Sequence, residues 1–409
     1  MSEVASLPVR PTLRVVPDGA NARSIGFIGR THEINQLAAT YERVRGGQAA
    51  TVLISGDAGI GKSRLVGELA TQARAAGATV AVGCCVRSED GLPYGPIVGL
   101  ARDLVRRVGQ RAVDALAPLV GGPTADSGDV PGGEFGADQP MRHEIARTRL
   151  FEAILTGFTT LAAGEPLVLV VEDLHWADAA SVELLDFLTR NLVEARVLIV
   201  GTFRADDVDA PTKATLAELA RHPRVSALRL AGMARPEIAA VVAARLGHVA
   251  ATTVADAIWE RSQGNPFFAE ELAAAPEGVA LPADLRDVLL LKIDALPADA
   301  QRIVRAAAAI GDTVEHALLV ALGELEADAL DPAIAALVEA HVLVVDDVAA
   351  GYRFRHALLR EAVYATLLPG ERTRLHRAIA TTVAADAALG EAGAGKRAAL
   401  LFGPARGVA

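Results

Sequence analysis

The sequence predicts an α/β fold: a parallel sheet covered by helices on both faces, followed by a mainly helical region. Three observations predict it. Apolar runs typical of buried strands alternate with helical patterns up to Gly232. A glycine-rich loop separates the first of these runs from a helix. Beyond Gly232, helical segments separated by Gly or Pro take over, and one hairpin is expected within residues 341–356.

The expected strands are short runs rich in Val, Leu and Ile. They are residues 50–55, 79–86, 167–171, 197–203 and 225–230. The run LVLVV at 167–171 has no polar position, which is typical of a strand buried on both faces. Helical periodicity is expected within residues 24–44 and at 63–76, 97–116 and 142–161.

The stretch GDAGIGKS, between the first strand and its helix, fits the pattern G-x-x-x-x-G-K-[ST]. In such a loop the backbone N–H groups surround phosphate oxygens, Lys62 reaches the terminal phosphates and Ser63 meets Mg²⁺. The positive end of the helix dipole adds to this attraction. The predicted nucleotide-binding residues of the loop are Gly56, Asp57, Ala58, Gly59, Ile60, Gly61, Lys62, Ser63 and Arg64.

A second motif, LVLVVEDLHWAD, places two acids at the carboxyl end of a buried strand, where open α/β sheets bind ligands. Hydrolysis needs groups that hold Mg²⁺ and orient water towards the γ-phosphate. We therefore expect Glu172 to hold the metal through water and Asp173 to orient the attacking water. Lys62, Glu172, Asp173 and Arg204 are the candidate catalytic residues.

Three nearby side chains allow two interpretations each. Arg204 follows the strand VLIVGTF and is either a charged donor to the γ-phosphate or a surface arginine. His175 and Trp176 either form a wall of the site or pack against the following helix, and packing with indirect support of the site is favoured.

The composition excludes several classes of function. The formal net charge of −10 argues against wholesale binding to nucleic acid or to anionic membranes. No apolar run is long enough to span a membrane, and the N-terminus lacks the apolar core of a signal peptide, so we expect a cytoplasmic protein. The adjacent Cys84 and Cys85 fit small buried residues in a reducing compartment, and no histidine spacing suggests zinc.

Several motifs together resemble the signal-transducing ATPases with numerous domains (STAND), an AAA-like group, and above all the ATPase region of LuxR-type, MalT-like bacterial regulators. The matching stretches are FIGRTHEINQL, GDAGIGKSRL, LVLVVEDLHWAD, GTFRADD, GNPFFAEEL and FRHALLREAVYATLLPGERTRLH. The last two and EDLHWAD are the most specific. Together the six matching stretches extend over most of the chain, from Phe27 to His376.

The resemblance implies a P-loop NTPase with a five-stranded parallel sheet in the order 2-3-4-1-5, ATP or ADP with Mg²⁺ as ligands, and further site residues. It implies that Gly29 and Arg30 lie near the adenine and that Arg204 is the first sensor. Pro266 of the GNP motif is expected to touch the base or ribose, and His356 to reach the nucleotide in an ADP-bound, closed form.

The resemblance also suggests a division of the chain. We expect a disordered leader at 1–23, the ATPase core at 24–232 with a mobile insertion at 121–140, a helical lid at 233–280, a winged-helix-like domain at 281–370, and at 371–409 the start of a helical arm with a truncated tail. The family usually ends in a DNA-binding helix-turn-helix, and we recognise no DNA-binding element in this chain.

Three functions follow. The favoured hypothesis is a nucleotide-dependent switch that hydrolyses ATP slowly and self-associates in the ATP form. The alternatives are a turnover ATPase that performs mechanical or loading work, and a truncated remnant without a signalling role. A turnover enzyme should carry an arginine finger and a second sensor arginine, and the sequence offers no convincing candidate for either.

Overall fold

The computed structural model describes residues 27–86, 93–120, 139–275, 281–346 and 350–385. The chain divides into two compact units, Met1–Ala231 and Gly232–Ala409. The expected leader at 1–23, nearly all of the insertion at 121–140 and the tail beyond residue 385 lie outside the described residues. In the ranges just given, no helix is long and apolar enough to cross a membrane.

The first unit is built on a parallel sheet. Within its described residues, five strands lie in the order β2-β3-β4-β1-β5. The strands are β1 (Ala50–Gly56), β2 (Thr79–Cys84), β3 (Leu167–Glu172), β4 (Val197–Phe203) and β5 (Val225–Leu230). The predicted fold class is confirmed, and the strand order is the one that the resemblance implies. Because all the strands are parallel, their carboxyl ends meet at one edge of the sheet, which forms the site described below.

Helices cover both faces of this sheet. They are α1 (Thr31–Arg45), α2 (Lys62–Ala75), α3 (Gly95–Val108), α4 (Gln110–Ala115), α5 (Ala117–Val120), α6 (Gln139–Gly164), α7 (Ala179–Asn191) and α8 (Ala210–Leu219), with a 3₁₀ turn at Leu174–Trp176. The prediction of one helix over 97–116 is wrong. The chain breaks at Gly109, whose φ of 69° and ψ of −139° lie outside the helical region.

The alternation of side chains along each strand divides the core into two layers. Leu53 and Ile199 belong to the layer that includes residues of α3, α6 and α7. Val52 and Val200 belong to the opposite layer, with residues of α1 and α2. Both faces of the central strands are therefore buried in apolar layers, which explains why their sequences contain almost no polar position.

The second unit is mainly helical. Its helices are α9 (Arg235–Leu246), α10 (Thr252–Ser262), α11 (Pro266–Ala274), α12 (Ala283–Asp294), α13 (Ala298–Ile310), α14 (His316–Leu322), α15 (Ala327–Glu339), α16 (Ala357–Thr366) and α17 (Pro369–Ala385). The predicted hairpin is present as antiparallel β7 (Leu343–Asp346) and β8 (Gly351–Phe354). A short strand that the sequence did not indicate, β6 (Thr313–Glu315), pairs with the other side of β8.

Candidate nucleotide-binding site

The glycine-rich loop connects β1 to α2 and has the backbone of an anion-binding loop. Gly59 and Gly61 have φ values of 73° and 101°, in the left-handed region that side chains with a Cβ disfavour. Helix α2 begins at Lys62, directly after Gly61. The amides of its first turn have no acceptor within the helix, so they are available to phosphate oxygens.

Lys62 is held inside this loop. It is 7% exposed, and its Nζ donates hydrogen bonds of 2.8 Å to the carbonyl oxygens of Gly56 and Asp57. Burial lowers the pKa of Lys62, the positive charge of Arg204 lowers it further, and the carboxylate of Asp173 opposes both. The ammonium group is therefore close enough to Arg204 and Asp173 for their charges to act on it.

The two acids of the EDLHWAD motif end β3 in different conformations. Glu172 is the last residue of the strand, and Asp173 turns the chain with a φ of 59°. The N–H of Asp173 donates to Oγ1 of Thr202, a distance of 3.1 Å, and Thr202 is 1% exposed within β4. Thr202 thus positions Asp173. Sequence reasoning missed it, although a hydroxyl near the end of an otherwise apolar strand was a signal.

Two later residues of the motif hold this turn in place by packing and by a helix cap. Leu174 packs against Gly201 of β4, where a Cβ would lie 2.6 Å from the Leu174 Cδ1 atom. Asp178 caps α7 by accepting a 2.9 Å hydrogen bond from the N–H of Ser181. The acids consequently project from a short segment that is fixed by a core contact and a helix cap.

Arg204 follows β4 and lies at the same edge of the sheet. Its guanidinium makes a 3.3 Å ion pair with Asp207 and lies 5.8 Å from the centre of the Trp176 ring. The backbone N–H of Arg204 donates a long hydrogen bond of 3.4 Å to Nδ1 of His175. The charges of Arg204 and Asp173 both shift the pKa of Lys62. Groups that follow β1, β3 and β4 are therefore near one another at this edge of the sheet.

Arg30 connects the loop to the end of the sheet. Gly29 and Arg30 both have left-handed φ values, 69° and 58°, and α1 begins directly after them. The Arg30 guanidinium is buried and donates to the carbonyl oxygens of Ile60 (3.2 Å) and Ala231 (2.5 Å). The first acceptor belongs to the loop and the second follows β5. The expected contact of Gly29 and Arg30 with adenine stays a prediction.

The two remaining predicted residues lie in the second unit. Pro266 is the first residue of α11, after Asn265, whose side chain caps the helix by accepting from the N–H of Phe267 (3.1 Å). His356 precedes α16, and its ring lies edge-on to Phe268 with 5.8 Å between the centroids. Pro266 is thus buried at the start of a helix and His356 packs against Phe268, and the contact of either residue with nucleotide stays a prediction.

The residues present fit a magnesium nucleotide. Ser63 is exposed in the first turn of α2, where its hydroxyl is accessible to a cation. The half-buried Glu172 carboxylate ends the strand two places away from β1 in the sheet. Hydroxyl and carboxylate oxygens are ligands that Mg²⁺ accepts, usually with several waters retained. The arrangement can therefore hold phosphate groups, a cation and a water near one lysine and one arginine.

Comparison with known proteins supports this interpretation of the first unit. Residues 26–200 match the family described as AAA ATPase domain. This part of the chain is thus an ATPase domain of the AAA type, with a P-loop fold. The chain is also 29% identical over 404 residues to an uncharacterized protein of Rhizobium meliloti, a match that covers 87% of this chain and 37% of that protein. The chain therefore spans well under half the length of this relative.

Solved structures also match parts of this chain at low identity. The ORC2 protein of Aeropyrum pernix is 15% identical and matches with a TM-score of 0.49, over 90% of this chain and 98% of that one. A STAND protein with a tetratricopeptide repeat sensor from Pyrococcus horikoshii is 15% identical, with a TM-score of 0.40 over 88% of this chain and 46% of that one. A RuvB variant from Thermotoga maritima is 18% identical, with a TM-score of 0.38 over 80% and 92%.

Proposed function

We propose that this chain is the nucleotide-dependent switch of a signal-transduction ATPase of the STAND type. In this proposal the first unit binds ATP or ADP with Mg²⁺ and hydrolyses ATP slowly, and the ATP form self-associates. Bound Mg-ATP would supply the γ-phosphate that is cleaved and the cation that neutralises its oxygens. Asp173 orients the attacking water, and Arg204 reports whether the γ-phosphate is present.

The observation that carries the proposal is the pair of hydrogen bonds made by Arg30. One side chain holds the carbonyl of Ile60, in the phosphate loop, and the carbonyl of Ala231, the last residue of the first unit. A change in the loop on nucleotide exchange therefore alters a contact at the segment that leads into the second unit. A switch requires such a connection, because a ligand shifts an equilibrium only through contacts that differ between the two states.

The sequence motifs favour a LuxR-type transcriptional regulator as the protein in which this switch operates. In such a protein a sensor and a DNA-binding element outside this chain would receive and transmit the signal. The relative from Rhizobium meliloti is long enough to contain further segments, since the match covers 37% of it. A cytoplasmic location also belongs to this proposal.

The first test is nucleotide binding and hydrolysis by three chains: the unchanged protein, Lys62→Ala and Asp173→Ala. Lys62→Ala should abolish ATP binding, because it removes the ammonium group that is buried inside the loop. Asp173→Ala should bind ATP with little change and release phosphate much more slowly. Glu183→Ala, which removes an exposed carboxylate of α7, is a matched control for loss of one acid and should behave as the unchanged chain. Hydrolysis at the full rate by Asp173→Ala would refute its assigned role.

The second test is the mass of the protein in solution. Size exclusion with light scattering, in ADP and in a non-hydrolysable ATP analogue with Mg²⁺, should give monomers and assemblies respectively. Equal masses in both nucleotides would overturn the proposed self-association. Fast steady-state hydrolysis that continues without any change in mass would instead favour a turnover ATPase. A chain that binds neither nucleotide would be the non-signalling remnant.

A further inference from the structure

His175 makes a contact that packing alone does not require. Its side chain is fully buried, and its ring stacks at an angle on Trp176, with 4.6 Å between the centroids. Its Nδ1 accepts the N–H of Arg204 at 3.4 Å and lies 3.9 Å from Oδ1 of Asp173. One ring atom therefore accepts a hydrogen bond from the residue after β4 and lies near the acid after β3.

The direction of this hydrogen bond defines the form of the ring. Because Nδ1 accepts a backbone N–H, it carries a lone pair, and the neutral ring has its proton on Nε2. Burial lowers the pKa of His175, and the positive charges of Arg204 and Lys62 lower it further, against the carboxylates of Asp173 and Asp207. The neutral ring is thus the form expected at neutral pH.

The buried Nε2 has no hydrogen-bond partner among the described residues. A buried donor without a partner costs free energy that a phenylalanine of similar shape would avoid. Since an apolar ring would pack in the same place without that cost, the useful property of the histidine at position 175 is the acceptor at Nδ1.

We infer that His175 is a positioning residue, which holds the main chain of Arg204 so that its guanidinium stays beside the acidic end of β3. This inference rests on the proposed function of the site. The Arg204 side chain is about one-third exposed and is held otherwise by Asp207 and by the Trp176 ring. The direction in which it leaves the strand consequently depends on its backbone. His175 is itself fixed, because the preceding Leu174 is clamped against Gly201.

Two substitutions at position 175 separate the acceptor from the packing. His175→Phe keeps a ring and removes the acceptor. His175→Asn can place its Oδ1 where Nδ1 lies, so it restores the acceptor while it packs less well. The matched control is His222→Phe, because Nδ1 of His222 accepts the N–H of Arg224 at 3.3 Å near the amino end of β5, the opposite edge of the sheet.

The experiment measures kcat for ATP hydrolysis and the dissociation constants of ADP and of a non-hydrolysable ATP analogue, for the full chain and each variant. We expect His175→Phe to lower kcat and to weaken the ATP analogue by about three- to tenfold, the range for loss of one hydrogen bond. ADP binding should change by less than about twofold, because ADP has no γ-phosphate for Arg204 to contact. His175→Asn should recover part of the loss, and His222→Phe should change neither constant.

The ratio of the two dissociation constants distinguishes positioning from a structural role. If His175→Phe weakens ADP and the ATP analogue equally, or leaves both and kcat unchanged, the inference is wrong. If His175→Asn is no better than His175→Phe in kcat and in this ratio, although the two variants have the same melting temperature, the inference is also wrong. If the unchanged chain binds no ATP, the proposed function itself fails, and the role of His175 fails with it.

Discussion

Replacement of Arg30 by alanine tests whether the phosphate loop is braced to the end of the sheet. Two hydrogen bonds from the guanidinium to the carbonyl oxygens of Ile60 and Ala231 are lost, together with a 3.0 Å ion pair to Glu33. Each bond to a charged group contributes about 1.5–3 kcal/mol, and the buried charge that disappears no longer has to be desolvated. We therefore expect a net loss of about 3 kcal/mol in the free energy of unfolding. In a unit of this size that lowers the melting temperature by about 6–12 °C.

The assay is thermal unfolding with and without ADP, together with ADP titration. Arg30→Lys should lower the melting temperature almost as much as Arg30→Ala. A single ammonium group cannot reproduce the forked guanidinium that donates to two carbonyl oxygens. The matched control is Arg45→Ala at the last residue of α1, the helix that follows Arg30, where an ion pair of 2.8 Å with Glu42 also spans three residues. That pair is more exposed, so its loss should cost less than about 1 kcal/mol. The brace does not exist if Arg30→Ala and Arg45→Ala melt at the same temperature.

Two further predictions concern stability. Gly201→Ala should destabilise the chain by about 1–3 kcal/mol, because the new Cβ meets Leu174. Gly67→Ala, on the open face of α2, should instead stabilise the chain by about 0.5–1 kcal/mol. Equal denaturant midpoints for the two variants would contradict this prediction. Burial and the charge of Arg372 lower the pKa of His376 from 6.5, so the unfolded chain takes up a proton that the folded chain does not, and stability is lost as the pH falls below about 6.5. Melting temperature against pH should therefore fall less steeply for His376→Phe, and identical slopes would count against the argument.

The strands of the first unit could be predicted well because burial on both faces leaves a distinct pattern in the residues themselves. The predicted and observed bounds of β4 and β5 coincide, and β1 and β3 differ by one residue. The prediction for β2 ran to residue 86, since the apolar run continues, whereas the strand ends at Cys84. Cys84 pairs with Glu172, the last residue of β3, so the length of β2 is limited by its neighbour.

Other elements depended on contacts that are distant in sequence. The three residues of β6 are a strand only because they pair with β8, and a segment that short has no periodicity of its own. In the candidate site, Thr202 meets Asp173 across 29 positions, and Arg30 meets Ala231 across 201. No local pattern can reveal such a partner, although the burial of a polar residue in an apolar strand was a usable signal for Thr202.

The sequence by itself determined the fold class, the phosphate loop and the acidic strand end. Each of these depends on local chemistry: glycines that accept left-handed backbone, a lysine at a set distance from them, and acids that follow a buried run. The tertiary structure alone decided which groups meet. It made Ala231 the second acceptor for Arg30, and it brought His175 next to both Asp173 and Arg204. The reason is physical, since these contacts arise where the carboxyl ends of neighbouring parallel strands meet, and strand order is not written in any one segment.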